Sequence, residues 1–178
     1  MGLQLIFCVE TNKKCKSDYI YIKNTIDRFY SLDQAWIKLS FIYMDGKGNY
    51  DTLKNWKNID RKIHDYSASS KSNHSKVIFC FDCDDYDTKS EDKKFLDNAK
   101  RYCEENGYDF VWFCKEIESV YLERRVSDGE KKKQAELFQR KCLIKDVNEQ
   151  NLRAELYRDK HSNLCIVLDK YLKTNSIV

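Results

Sequence analysis

The segment VIFCFDCDD, Val77 to Asp85, decides the fold. Its first five residues, Val77 to Phe81, form the most apolar run of the chain. The run stops abruptly in carboxylates: Asp82, Asp84, Asp85 and, past Tyr86, Asp87. A short continuous apolar run reads as a strand covered on both faces, the situation of a parallel sheet between layers of helix. Carboxylates that close such a strand fall at the carboxyl edge of the sheet, where open α/β sheets keep their ligand crevices.

Towards the N-terminus, Leu3 to Val9 is another such run and is closed by Glu10. Trp36 to Met44 is a third, ended by the turn Asp45-Gly46-Lys47-Gly48-Asn49. Between them, Asp18 to Tyr30 sets Tyr19, Ile22, Ile26 and Phe29 at helical spacing. Leu53 to Tyr66 does the same with Leu53, Trp56, Ile59, Ile63 and Tyr66, and polar residues from Ser67 to Ser75 read as a loop. Towards the C-terminus, a helix is predicted from Ser90 or Glu91 to Asn106, capped by Gly107, with Phe95, Ala99, Tyr102 and Cys103 inward. Tyr108 to Cys114 supplies the fourth strand. The order β-α-β-α-β-α-β, without a tight hairpin signal, predicts an α/β fold: a largely parallel four-stranded sheet flanked by helices.

A length of 178 residues allows one compact core with a short appendage. Residues 1–118 are read as the sheet domain and 119–178 as a helical, basic C-terminal extension packed on the same core. Between Glu123 and Lys145 the basic residues are Arg124, Arg125, Lys131, Lys132, Lys133, Arg140, Lys141 and Lys145, against four acids. Such a segment suits a solvated helix face and a phosphate-backbone contact equally. The whole chain carries only +3, from 32 basic and 29 acidic residues, so any electrostatic argument is local.

The apolar start at Leu3 has no basic residue before it, and no run approaches the ~20 residues of a membrane span. Ile6 stands where myristoylation wants Ser or Thr. The expectation is a soluble, cytoplasmic protein with no membrane partner. Of eight cysteines, Cys8, Cys80, Cys83, Cys114 and Cys165 lie in apolar runs and read as buried thiols. Cys80 and Cys83 have metal-knuckle spacing, but no second pair follows, and strand alternation points them apart. His64, His74 and His161 lack metal spacing, and Trp36, Trp56 and Trp112 fall at apolar phases and read as core.

Gathering Glu10, Asp82 and Asp84 at adjacent strand ends costs repulsion that a bound cation relieves. Oxygen ligands with open positions favour Mg²⁺ or Mn²⁺. Alternation puts Asp82 and Asp84 on one side. A DxD by itself is an ordinary turn or cap. The combination carries more weight: a strand ending in Glu, a glycine turn after the second strand, then a strand ending in DxD.

On LIFCVE at 5–10, MDGKG at 44–48 and VIFCFDCDD at 77–85, the chain resembles the Toprim domain over about residues 3 to 116. That fold is shared by topoisomerases, bacterial primases and small nucleases, and the short chain is most similar to the defence-associated OLD and RloB type. The resemblance implies that Glu10, Asp82 and Asp84 gather magnesium for phosphodiester chemistry. It places Asp18 as a further acidic ligand, and Lys115 and Glu118, in the segment after strand four, as second-rank catalytic residues. Glu10-Thr11 replaces the usual Glu-Gly step.

The chain has no room for a topoisomerase's tyrosine-bearing domain or for a primase's accessory parts. The resemblance therefore implies metal-dependent hydrolysis of DNA or RNA, with nucleic acid as partner; whether a partner ATPase or a second copy (a homodimer) completes the site is left open by the sequence. The alternative is a Toprim-like module that binds a nucleotide or partner without turnover. A flavodoxin-like or receiver fold also binds magnesium at strand ends, but it needs an acidic pair after strand one, where only Glu10 stands.

Overall fold

The computed structural model describes residues 2–175. Four strands, β1 (Leu3–Val9), β3 (Ile37–Tyr43), β4 (His74–Asp82) and β5 (Asp109–Phe113), form one sheet in the order β3-β1-β4-β5, and every pairing is parallel. A two-residue strand, β2 (Tyr30–Ser31), pairs antiparallel with β6 (Lys173–Thr174) outside this sheet. The expected α/β architecture is thus present as a generic Rossmann-like sheet.

Alternation divides the strand residues between two cores, which is why the runs are apolar throughout. Leu5, Phe7 and Val9 of β1, Ile78 and Cys80 of β4, and Val111 and Phe113 of β5 enter one core. Ile6, Cys8, Val77, Phe79, Phe81 and Trp112 enter the other. The first face is covered by α1 (Ser17–Phe29) and the second by α2 (Leu53–Ser69) and α3 (Ser90–Asn106). Gly107 closes α3 in the left-handed conformation, φ 67°, where a side chain would be strained. Cys80 and Cys83 do fall on opposite faces, and the five cysteines read as buried are buried free thiols.

Beyond β5 the chain returns to the first face. α4 (Ile117–Leu122), α5 (Asp128–Arg140), α6 (Leu164–Leu168) and the two 3₁₀ turns between α5 and α6 bring Val120, Ala135, Phe138, Leu152 and Leu168 into the same core as α1. Only α5 is a long helix. The boundary at 118 crosses this shared core, and Met1 and residues 176–178 of the two expected segments lie outside the described residues.

Residues 162–163 cover the outer edge of β5, where Asn163 accepts from Trp112 N–H at 2.9 Å and donates to Phe110 C=O at 3.0 Å. The opposite edge strand is β3. Among the described residues, no helix is long and apolar enough to cross a membrane.

Three readings are corrected. The loop from Ser67 is shorter than expected, because α2 runs on to Ser69 and β4 begins at His74. Trp112 is core, but Trp36 is 55% and Trp56 48% exposed. Trp36 precedes β3, and on α2 it is Asn55 and Ile59 that face the sheet. Asp82 and Asp84 do not share a side by alternation: β4 ends at Asp82, and Asp84 turns into the left-handed region, φ 49°.

Candidate functional site

In the order β3-β1-β4-β5, the connections that leave β1 (to β3) and β4 (to β5) run in opposite directions, so the topological switch point lies between β1 and β4. Glu10 follows β1 directly and Asp82 is the last residue of β4. Asp82 N–H donates to Glu10 Oε1 at 2.8 Å, which fixes one carboxylate across the mouth of the crevice. Asp82 Oδ1 in turn accepts from Ile117 N–H at the start of α4, 2.9 Å away.

Asp18 joins them from the first turn of α1. It is buried, and its oxygens accept from Thr11 N–H and Ser17 Oγ, both at 3.1 Å. Glu118 comes from α4 with 0% of its surface exposed and no hydrogen-bond partner on either carboxylate oxygen. Glu10, Asp18, Asp82 and Glu118 are thus brought to one place by four different elements.

The positive charge among them is Lys131, on the second turn of α5. Its Nζ lies 4.0 Å from Asp82, 3.7 Å from Glu118, 3.6 Å from Glu116 and 3.6 Å from Asp128. Burial opposes this ammonium, yet Asp82, Glu118, Glu116 and Asp128 together raise its pKa above the ordinary lysine value. Burial pushes the carboxyls the other way. Glu10 is raised to about 8, with Asp18 and Asp84 adding repulsion against the Asp82 N–H and Lys47. Glu118 is raised to about 7, burial outweighing Lys131. Asp18 and Asp82 are raised by burial as well, Asp82 also by the charges of Glu10 and Glu118. A cleft of about 370 Å³ opens onto Glu10, Asp82, Lys131, Asn12 and Asp45.

The remaining expected residues sit apart. Asp84 pairs with Lys47 from the Gly46-Lys47-Gly48 turn, which also reaches Asp92 at 3.2 Å. Lys115 lies on the far side of the acidic run, 3.6 Å from Asp85 and 3.3 Å from Asp87. Lys89, at 2.9 Å, and Arg125 also hold Asp85 and lower its pKa. The run 82–87 is therefore divided: Asp82 faces Glu10, and the others carry their own cations.

Lys131 and Lys47 were not singled out from sequence. Lys47 had a signal, a lysine bracketed by glycines at the end of a strand. Lys131 had none, because nothing in a basic helical segment says which lysine turns inward.

In chemical type the donor set suits a hard divalent cation: every contributed atom is a carboxylate oxygen, and both of Glu118's are buried without a hydrogen-bond partner, one of them 3.7 Å from the Lys131 ammonium. Among the described residues, however, no three His, Cys, Asp or Glu side chains are spaced to share one ion. The fold and crevice define an α/β protein of Rossmann-like type with a carboxylate cluster at its switch point. Comparison with protein-family models, curated proteins and solved structures finds no match to this chain.

Proposed function

We propose that the chain is a Toprim-like, Mg²⁺- or Mn²⁺-dependent nuclease that hydrolyses phosphodiester bonds in DNA or RNA. The observation that carries this reading is the Glu10–Asp82 pair, tied across the switch point at 2.8 Å with Asp18 and Glu118 close behind. Glu10 and Asp82, the two of these carboxylates that line the cleft, would hold the metal, with Asp18 and Glu118 behind them; when bound, it would supply charge neutralisation at a phosphate oxygen and a more acidic water.

The chain's own residues have separate tasks. Glu10 stands at the cleft beside Asp82, and its carboxyl, raised to about 8 by burial and neighbouring carboxylates, stays largely protonated at neutral pH until a cation binds beside it and frees the carboxylate as ligand or as base toward an attacking water. Lys131 lines the same cleft and offers an ammonium to the negative charge that develops on phosphorus-bound or leaving oxygens. Asp82, fixed by its bonds to Glu10 and α4, keeps the cluster in register.

The non-catalytic alternative gains one observation: Lys131 already neutralises part of the cluster, as a structural ammonium would. One experiment separates the two. Labelled single- and double-stranded DNA and RNA are incubated with Mg²⁺ or Mn²⁺, with EDTA as control. Wild type is expected to cleave at least one substrate, and Asp82→Asn and Glu10→Gln to lose about 100-fold or more. Intact substrates together with calorimetric Mg²⁺ binding that Asp82→Asn abolishes would favour the binding module. No metal binding at all would end both readings.

A further inference from the structure

A second cleft, of about 530 Å³, lies beside the first. Lys13, Lys14, Tyr43, Lys54 and Asn58 line it, and the two clefts share Asn12 and Asp45 as a common wall. Its lining carries three lysines against one aspartate. The lysines are exposed, and among the described residues none of Lys13, Lys14 and Lys54 pairs with a carboxylate.

The loop that presents Lys13 and Lys14 is held by its own residues. Asn12 Oδ1 accepts from Lys14 N–H at 2.9 Å and from Cys15 N–H at 3.0 Å, a local turn that leaves the amide NH₂ as a donor at the cleft. Lys54 and Asn58 are one turn apart on α2, at its amino end, where the helix dipole adds positive potential.

The basic surface continues down the open β3 edge. Lys38 of β3 lies over the Tyr66 ring at 5.4 Å. Lys62 of α2 is destabilised as a cation by burial and by the charges of Lys38, Arg61 and Lys13. From Lys54 to Lys62, α2 advances ~12 Å. Like charges crowded along such a stripe are relieved by a ligand with regularly spaced anions.

We propose that this cleft and the β3 edge below it bind the phosphate backbone of a nucleic-acid strand and lead it into the Glu10–Asp82 crevice. The inference rests on the nuclease reading for its direction but not for its binding. The basic segment after Leu122 is the competing candidate: Arg125, Lys131 and Lys132 pair with Asp85, the carboxylate cluster and Glu136, whereas Lys133 and Lys141 pair with no carboxylate among the described residues, and it does not share a wall with the Glu10–Asp82 cleft as the Lys13–Lys14–Lys54 cleft does.

The test is anisotropy of a fluorescein-labelled 20-nucleotide DNA or RNA oligonucleotide, in EDTA, across a salt series. The triple variant Lys13→Gln/Lys14→Gln/Lys54→Gln should bind at least ~10-fold more weakly and reduce the slope of log K on log salt by about 2 for a single strand. Lys132→Gln/Lys133→Gln/Lys141→Gln should leave both unchanged. Circular dichroism checks that each variant is folded. Wild type that binds neither oligonucleotide, an unaffected first triple variant, or an equal loss in the second would overturn the proposal.

The two readings fail differently. If the first triple variant loses binding while wild type never cleaves, the tract stands and the nuclease falls. If metal-dependent cleavage survives in that variant with unchanged KM, the nuclease stands and the tract falls.

Discussion

Glu118 keeps both carboxylate oxygens out of water with the Lys131 ammonium, 3.7 Å away, as the offsetting charge. Its carboxyl titrates near 7 and that of Glu10 near 8, whereas both ionise at about 4.3 in the unfolded chain. Between those values the folded chain binds more protons than the unfolded one, so stability falls as pH rises. The contribution is fully present below about pH 4 and is lost through about pH 7 to 8. In metal-free buffer, the urea midpoint should therefore drop from pH 5 to pH 8. Glu118→Gln should flatten its share, on the order of 2 kcal/mol. A midpoint that rises over this range, or a Glu118→Gln profile parallel to wild type, would contradict the assignment. Glu10 and Asp82 were legible in the sequence because each closes an apolar run. Lys131 was not, because its place depends on how α5 crosses α1, a contact between residues far apart in the chain.

That crossing is made by aromatic packing. Phe138 of α5 meets Tyr21 of α1 edge-on at 5.0 Å and Tyr121 of α4 at 5.7 Å, and it is fully buried. Phe138→Ala should cost about 3–5 kcal/mol by leaving a cavity there. It should also loosen α5 enough to withdraw Lys131 from Asp82 and Glu118. The readouts are the thermal midpoint and the Glu118-dependent pH slope, which should steepen if Lys131 leaves. A midpoint within 1 °C of wild type would show that α5 is not anchored in this way. The strands and the helices α1 to α3 were readable because each has a period and a terminator of its own. The elements after Glu116 were less so: α4 and α6 are short and buried through tertiary contacts, and their sequences carry no clear period. Trp36 and Trp56 misled for a related reason, since an apolar phase does not say which flank of an element meets the sheet.

For the molecule as a whole, the core on the α1 face is built jointly from β1, β4, β5 and the segment after residue 119. A fragment ending at residue 118 would expose the apolar surface of the α1-side core, against which Ala135, Phe138, Leu152 and Leu168 are buried. Expressed alone it should fail to show a cooperative thermal transition, while the full chain shows a single one by both far-ultraviolet circular dichroism and tryptophan fluorescence. A fragment with its own sharp transition would establish two independently folding units. The topology was open to sequence reading as far as strand number and parallelism. Strand order was not, since nothing local in Leu3–Val9 says that it lies at the centre. That central position bears on synthesis. β1 leaves the ribosome before the other strands of its sheet, yet its partners are residues 37–43 on one side and 74–79 on the other. Until both have emerged, LQLIFCV is a bare, uncharged, β-prone heptapeptide. Nascent chains stalled before residue 74 are therefore the ones that should recruit chaperones and be lost to co-translational aggregation, and slowing translation in that window should lower the yield of native protein.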